Sequence, residues 1–116
     1  MLIKPEKLND VDEDLTNAVK TLAGKVKYNI LVVCGRRTEA EQLKLYEAKA
    51  SKVYGPNAPH VRGIAVDLVP VLDTGVCLWD DTSKYAEMRI ILGGLIELEP
   101  KITWDSDHFQ KKIYLH

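Results

Sequence analysis

A single acid inside a strand constrains this chain more than any other feature. Residues 63–70, Gly-Ile-Ala-Val-Asp-Leu-Val-Pro, alternate with a period of two, so that Ile64, Val66 and Leu68 share one face while Gly63, Ala65 and Asp67 share the other. Asp67 therefore projects from a face made of the smallest residues, with room for other groups around it. A carboxylate in an otherwise apolar strand costs on the order of several kcal/mol unless it is paired, hydrogen-bonded or bound to a metal. Whatever this chain folds into must supply Asp67 with such partners.

The surrounding pattern predicts an α+β domain. The run Tyr28–Cys34 is short, β-branched and nearly continuous in its apolar character, as in a buried strand. A helix fits 9–23, with Val11, Leu15, Ala18, Val19 and Leu22 on one face, Asn9 or Asp10 as its cap and Gly24 as its stop. Thr38-Glu39-Ala40-Glu41 has the form of a capping box and opens a helix over 38–50 whose inward residues are Leu43, Tyr46 and Ala50. Residues 51–59 read as loop. Asp73-Thr74-Gly75 reads as a turn that sends 76–79 back as an antiparallel strand. A further helix spans 82–92 and ends at Gly93-Gly94, and the tail from His108 to Leu115 forms a last strand. Short strands and helices in mixed order imply a small antiparallel sheet with about three helices.

At 116 residues the chain fits one domain over 1–116, and a modest core can stabilise it without disulfides. A formal charge of −1 offers no electrostatic footprint for nucleic acid or an anionic membrane. No apolar run approaches the roughly 18 residues of a membrane span, and the N-terminal MLIKPEKLNDVDEDL lacks the basic-then-apolar order of a secretory signal. Synthesis and folding in the cytoplasm without a signal peptide is the expectation. Cys34 and Cys77 lack the close spacing of a structural zinc motif or a redox pair, and read as two buried thiols.

His60 lies seven residues before Asp67, and Asp105 lies three before His108. Two imidazoles and two carboxylates are the inventory of a catalytic zinc site, with three protein ligands, an open position for water and a separate acid to move protons. Each residue also has an ordinary reading: a solvated loop histidine at 60, a half-buried His108 donating to a carbonyl, an acidic surface turn at 105–107. Groups at i and i+3 converge in a turn, so Asp105 is the expected general base, and Asp107, next to His108, is expected to point away. His116 has no partner at metal-ligand spacing.

The motifs His60-x-x-Gly-x-Ala-x-Asp67 and Asp105-x-x-His108-Phe109, with Cys34-Gly35-Arg36-Arg37-Thr38, Gln42 and Leu45-Tyr46 upstream, resemble the M15 zinc peptidases of bacterial cell-wall peptides. Asp-x-x-His-Phe and the small size resemble most the phage-type L-alanyl-D-glutamate peptidases, the endolysins. The resemblance implies a Hedgehog/D,D-peptidase-like fold, Zn2+ held by His60, Asp67 and His108, Asp105 as catalytic acid/base, and Arg37 as the cation facing the substrate. It also implies a monomer acting on peptidoglycan stem peptides at the bacterial cell wall or periplasm, with no nucleic acid and no stable membrane association. A D,D-carboxypeptidase or dipeptidase of the same family, or a non-catalytic peptidoglycan-binding module, are the alternatives. Three positions depart from the family pattern: Ala58 replaces Ser, Arg36 replaces Tyr, and Gly-Gly-x-Trp is absent before the last motif.

Overall fold

The computed structural model describes residues 1–49, 55, 58–102 and 105–113. Among the described residues, four strands, β1 (Leu2–Ile3), β2 (Asn29–Cys34), β3 (Ala65–Val71) and β4 (His108–Gln110), form one sheet in the order β1-β2-β3-β4. Three helices among the same residues, α1 (Glu13–Lys25), α2 (Glu39–Glu47) and α3 (Thr82–Leu95), complete the α+β architecture, with a 3-10 turn at Pro5–Leu8. The β2–β3 and β3–β4 pairings are antiparallel, as expected, while β1 adds a parallel edge. None of the described helices is long and apolar enough to cross a membrane.

Ladder parity divides the sheet into two faces with different tasks. Val32 pairs with Leu68 and Val66 with Phe109, so these residues and Ile30 share a face. They are buried together with Leu15, Val19 and Leu22 of α1 and Met88 and Leu92 of α3 in one core. Asp67 pairs with His108 on the opposite parity. The core side is apolar and closed by helices, which leaves the other side free to carry chemistry.

Several local expectations are corrected. Helix α1 starts later than 9, because the Asp12 side chain, not Asn9 or Asp10, accepts the Leu15 amide at 3.0 Å. It runs past Gly24 to Lys25. Helix α3 likewise runs through Gly93 and Gly94 to Leu95, and the Ile96 amide closes its last turn on the Leu92 carbonyl. The capping box at Thr38 and Glu41 forms as read, but Leu43 and Tyr46 of α2 are exposed and its one buried residue is Gln42. Ala50 lies outside the described residues. The return after the 73–75 turn makes one bridge, Val71 to Cys77, rather than a strand, and β4 ends at Gln110 with a single further bridge at Lys111. Residues 114–116 lie outside the described residues, His116 among them.

Candidate metal centre

Three segments carry the site. The loop entering β3 brings His60, β3 itself brings Asp67, and β4 brings His108 directly across the ladder from Asp67. His60 Nε2 stands 3.2 Å and His108 Nδ1 3.4 Å from the same oxygen, Asp67 Oδ1. The two rings meet edge to face with centroids 5.1 Å apart. Both histidines are buried, and the Asp67 side chain is 13% exposed.

The outer nitrogen of each ring is already committed. His60 Nδ1 lies 2.8 Å from the Gly35 carbonyl, and His108 Nε2 lies 3.1 Å from Gln110 Oε1, so each donates its N–H outward. In the neutral rings the inward nitrogens are then lone pairs aimed at a carboxylate oxygen, an arrangement that repels unless a proton or a cation lies between them. Without a metal, a proton takes that place between His60 and Asp67. Burial opposes a charged His60, but its hydrogen bonds to Asp67 and Cys34 and the Asp67 charge outweigh this and raise its pKa to about 9. Burial would raise Asp67, yet hydrogen bonds and charge from His108 and His60 hold its carboxyl well below the usual range. Two nitrogens and one oxygen converging with outward N–H groups anchored fit a divalent zinc-type ion.

Gly35 is needed for this anchoring. A Cβ there would collide with the Lys7 carbonyl of the 3-10 turn, so no larger residue could bring the Gly35 carbonyl to His60 without moving the chain. Position 108 is fixed differently: Arg89 of α3 donates to the His108 carbonyl at 2.8 Å while its guanidinium stacks on Phe109 at 4.5 Å.

Asp105 is where the i,i+3 spacing puts it. The His108 amide donates to the Asp105 carbonyl at 3.2 Å, and Asp105 Oδ2 lies 4.0 Å from His108 Nδ1 with its side chain 41% exposed. Asp67, Asp105 and His108 each place a ligand-capable atom within 4.8 Å of the others. Asp107 lies in contact with Asp105, and burial, that contact and the charges of Asp67 and Asp105 push its carboxyl well above the carboxylate range. Arg37 donates to Asp67 Oδ2 at 3.3 Å and to Gln42 Oε1 at 3.1 Å, so it holds the carboxylate from behind. It also lines an open cleft of about 590 Å³ together with Arg36 and Arg62.

Two site residues have roles that motif reading did not assign. Gln42 is 1% exposed and orients Arg37, for which its polar character on a helix with little apolar periodicity was the available signal. Cys34 places its Sγ within 4.8 Å of ligand-capable atoms of His60 and Asp67 and is half-buried rather than sealed in the core.

Helices α1 and α3 stacked on one side of a small mixed sheet and a histidine–carboxylate cluster on the other define the D,D-peptidase-like α+β class. The particular solved protein that the chain is similar to is the Serratia marcescens L-Ala D-Glu endopeptidase ChiX, with a TM-score of 0.77 and 26% identity over 92% of this chain and 84% of that one. The match bears out the resemblance drawn from the motifs. No protein-family model matches the chain, and no curated protein is significantly similar to it.

Proposed function

We propose that this protein is a zinc-dependent peptidase that cleaves peptidoglycan stem peptides at the L-alanyl-D-glutamate bond, acting as a monomer at the bacterial cell wall. The observation that carries this reading is the convergence of His60 Nε2 and His108 Nδ1 on Asp67 Oδ1 with both outer ring nitrogens anchored. The similarity to the Serratia endopeptidase supports the substrate class.

His60, Asp67 and His108 would hold the ion, which supplies Lewis acidity that polarises the scissile carbonyl and lowers the pKa of water towards roughly 7. Asp105, partly exposed beside His108, takes the proton of the attacking water and passes it to the leaving amine nitrogen. Asp107 lies against Asp105 at the edge of the site. Arg37 keeps Asp67 oriented through one edge of its guanidinium, and its remaining N–H donors face substrate carboxylates in the cleft shared with Arg36 and Arg62.

Digestion of defined stem peptides by zinc-loaded protein tests the proposal. New N-terminal D-glutamate identified by mass spectrometry is the expected product. Release of terminal D-alanine would instead assign a D,D-carboxypeptidase, and binding to peptidoglycan with no new amine would reduce the protein to a binding module.

A further inference from the structure

Cys34 belongs to the same row of the sheet as the metal-binding residues, and a backbone irregularity puts it there. Val32 pairs with Leu68, so a regular ladder would set Val33 opposite Asp67 and Cys34 opposite Val66, on the core face. Instead the register shifts between Val32 and Cys34, and Cys34 pairs with Asp67. A bulge of this kind re-aims a side chain, and here it exchanges an apolar valine for a thiol on the ligand face. Cys34, Asp67 and His108 then stand side by side on three adjacent strands.

The thiol faces His60, to which it is hydrogen-bonded, and makes a long 3.5 Å contact to the carbonyl of the next residue, Gly35. Sγ, a His60 nitrogen and an Asp67 oxygen lie within 4.8 Å of one another. Cys34 also lines an open cleft beside Gly35 and Arg37, so an ion can reach it. The shape of the site is that of an Asp67 carboxylate flanked by sulfur from β2 and by imidazole and carboxylate from the β4 side.

We infer that Cys34 is a fourth protein ligand, a thiolate that closes the metal site from the β2 side and selects thiophilic divalent ions such as zinc, cobalt and cadmium over magnesium. The inference rests on the metal-site reading proposed above. On coordination the thiol proton passes to solvent and sulfur donates its lone pair to the ion, with no change of oxidation state. With sulfur bound the ion would have four protein ligands, and water would reach it only by displacing Cys34 or as a fifth ligand.

Cobalt substitution reads this directly. Protein loaded with one equivalent of Co2+ should show a sulfur-to-cobalt charge-transfer band in the near ultraviolet, retained in Cys77→Ser and lost in both Cys34→Ser and Cys34→Ala. These two variants should still bind cobalt through the histidines, about tenfold or more weakly. In unmutated protein, zinc should slow alkylation of Cys34 by iodoacetamide while leaving Cys77 as reactive as before. Stoichiometric cobalt with visible d–d bands that depend on His60 and His108 but no sulfur band overturns the role of Cys34 and leaves the metal site standing. Failure of unmutated protein to bind cobalt removes both.

Discussion

Helices α1 and α2 start alike and are used differently. Each opens on a side-chain cap, Asp12 for α1 and Thr38 with Glu41 for α2. Helix α1 then buries Leu15, Ala18, Val19, Leu22 and Ala23 in the core, whereas α2 leaves Leu43 and Tyr46 in solvent and buries only Gln42. One helix stabilises the fold, and the other holds Arg37 against Asp67. Substitutions in the first should therefore change stability and spare the site, and those in the second should do the reverse.

The largest effect is expected at the site that α2 supports. Asp105→Asn should keep stoichiometric zinc and an unchanged melting temperature while turnover falls about 10²–10⁴-fold in steady-state assays; a near-normal rate would remove Asp105 from the chemistry. In α1, Leu22→Ala should cost about 2–5 kcal/mol in denaturant unfolding with little change in zinc affinity. A large loss of affinity there would show that core and site are not separable.

Proton linkage sharpens the contrast further, because the buried site carries large shifts of opposite sign on His60 and Asp67. In the metal-free protein the raised pKa of His60 contributes stability that is fully present below its unfolded value near 6.5 and is lost as pH rises through about 9, an effect of order 3 kcal/mol. The depressed carboxyl of Asp67 contributes stability present above about 3.8 and lost as pH falls below it. Thermal melts across pH should thus show a plateau between roughly 4 and 6.5 without metal, and zinc, which holds the ring neutral, should remove the alkaline decline. A flat alkaline limb in the metal-free protein would contradict the His60–Asp67 pairing.

Smaller again, Gln42→Leu should weaken zinc binding about 10–100-fold through a mispositioned Arg37 and Asp67, measured by competition with a chelator. Leu43→Ser, on the exposed face of the same helix, should stay within about 0.5 kcal/mol of the original stability.

What the sequence revealed follows the same division. Strands β2 and β3, the capping box and the His60–Asp67 and Asp105–His108 spacings were legible because each is a local pattern that the fold keeps. The missed features are those that tertiary contact decides. Strand β1 is two residues long and exists through its pairing with Ile30 and Leu31. Gly93 and Gly94 do not stop α3, since the packing of Met88 and Leu92 on the core outweighs a propensity cost of about 1 kcal/mol per glycine. The position of Cys34 depends on a bulge that leaves no mark in residue type. Arg37 was picked out by motif alone, and its bonds to Asp67 and Gln42 add an orienting task to the substrate-facing one expected of it.

The short strand β4 carries His108 and is the last to be synthesised of the segments that build the site. A growing polypeptide on the ribosome can hold its early helix and central strand pair and still lack half of the imidazole pair. The histidine pair is thus complete only once β4 has paired onto β3.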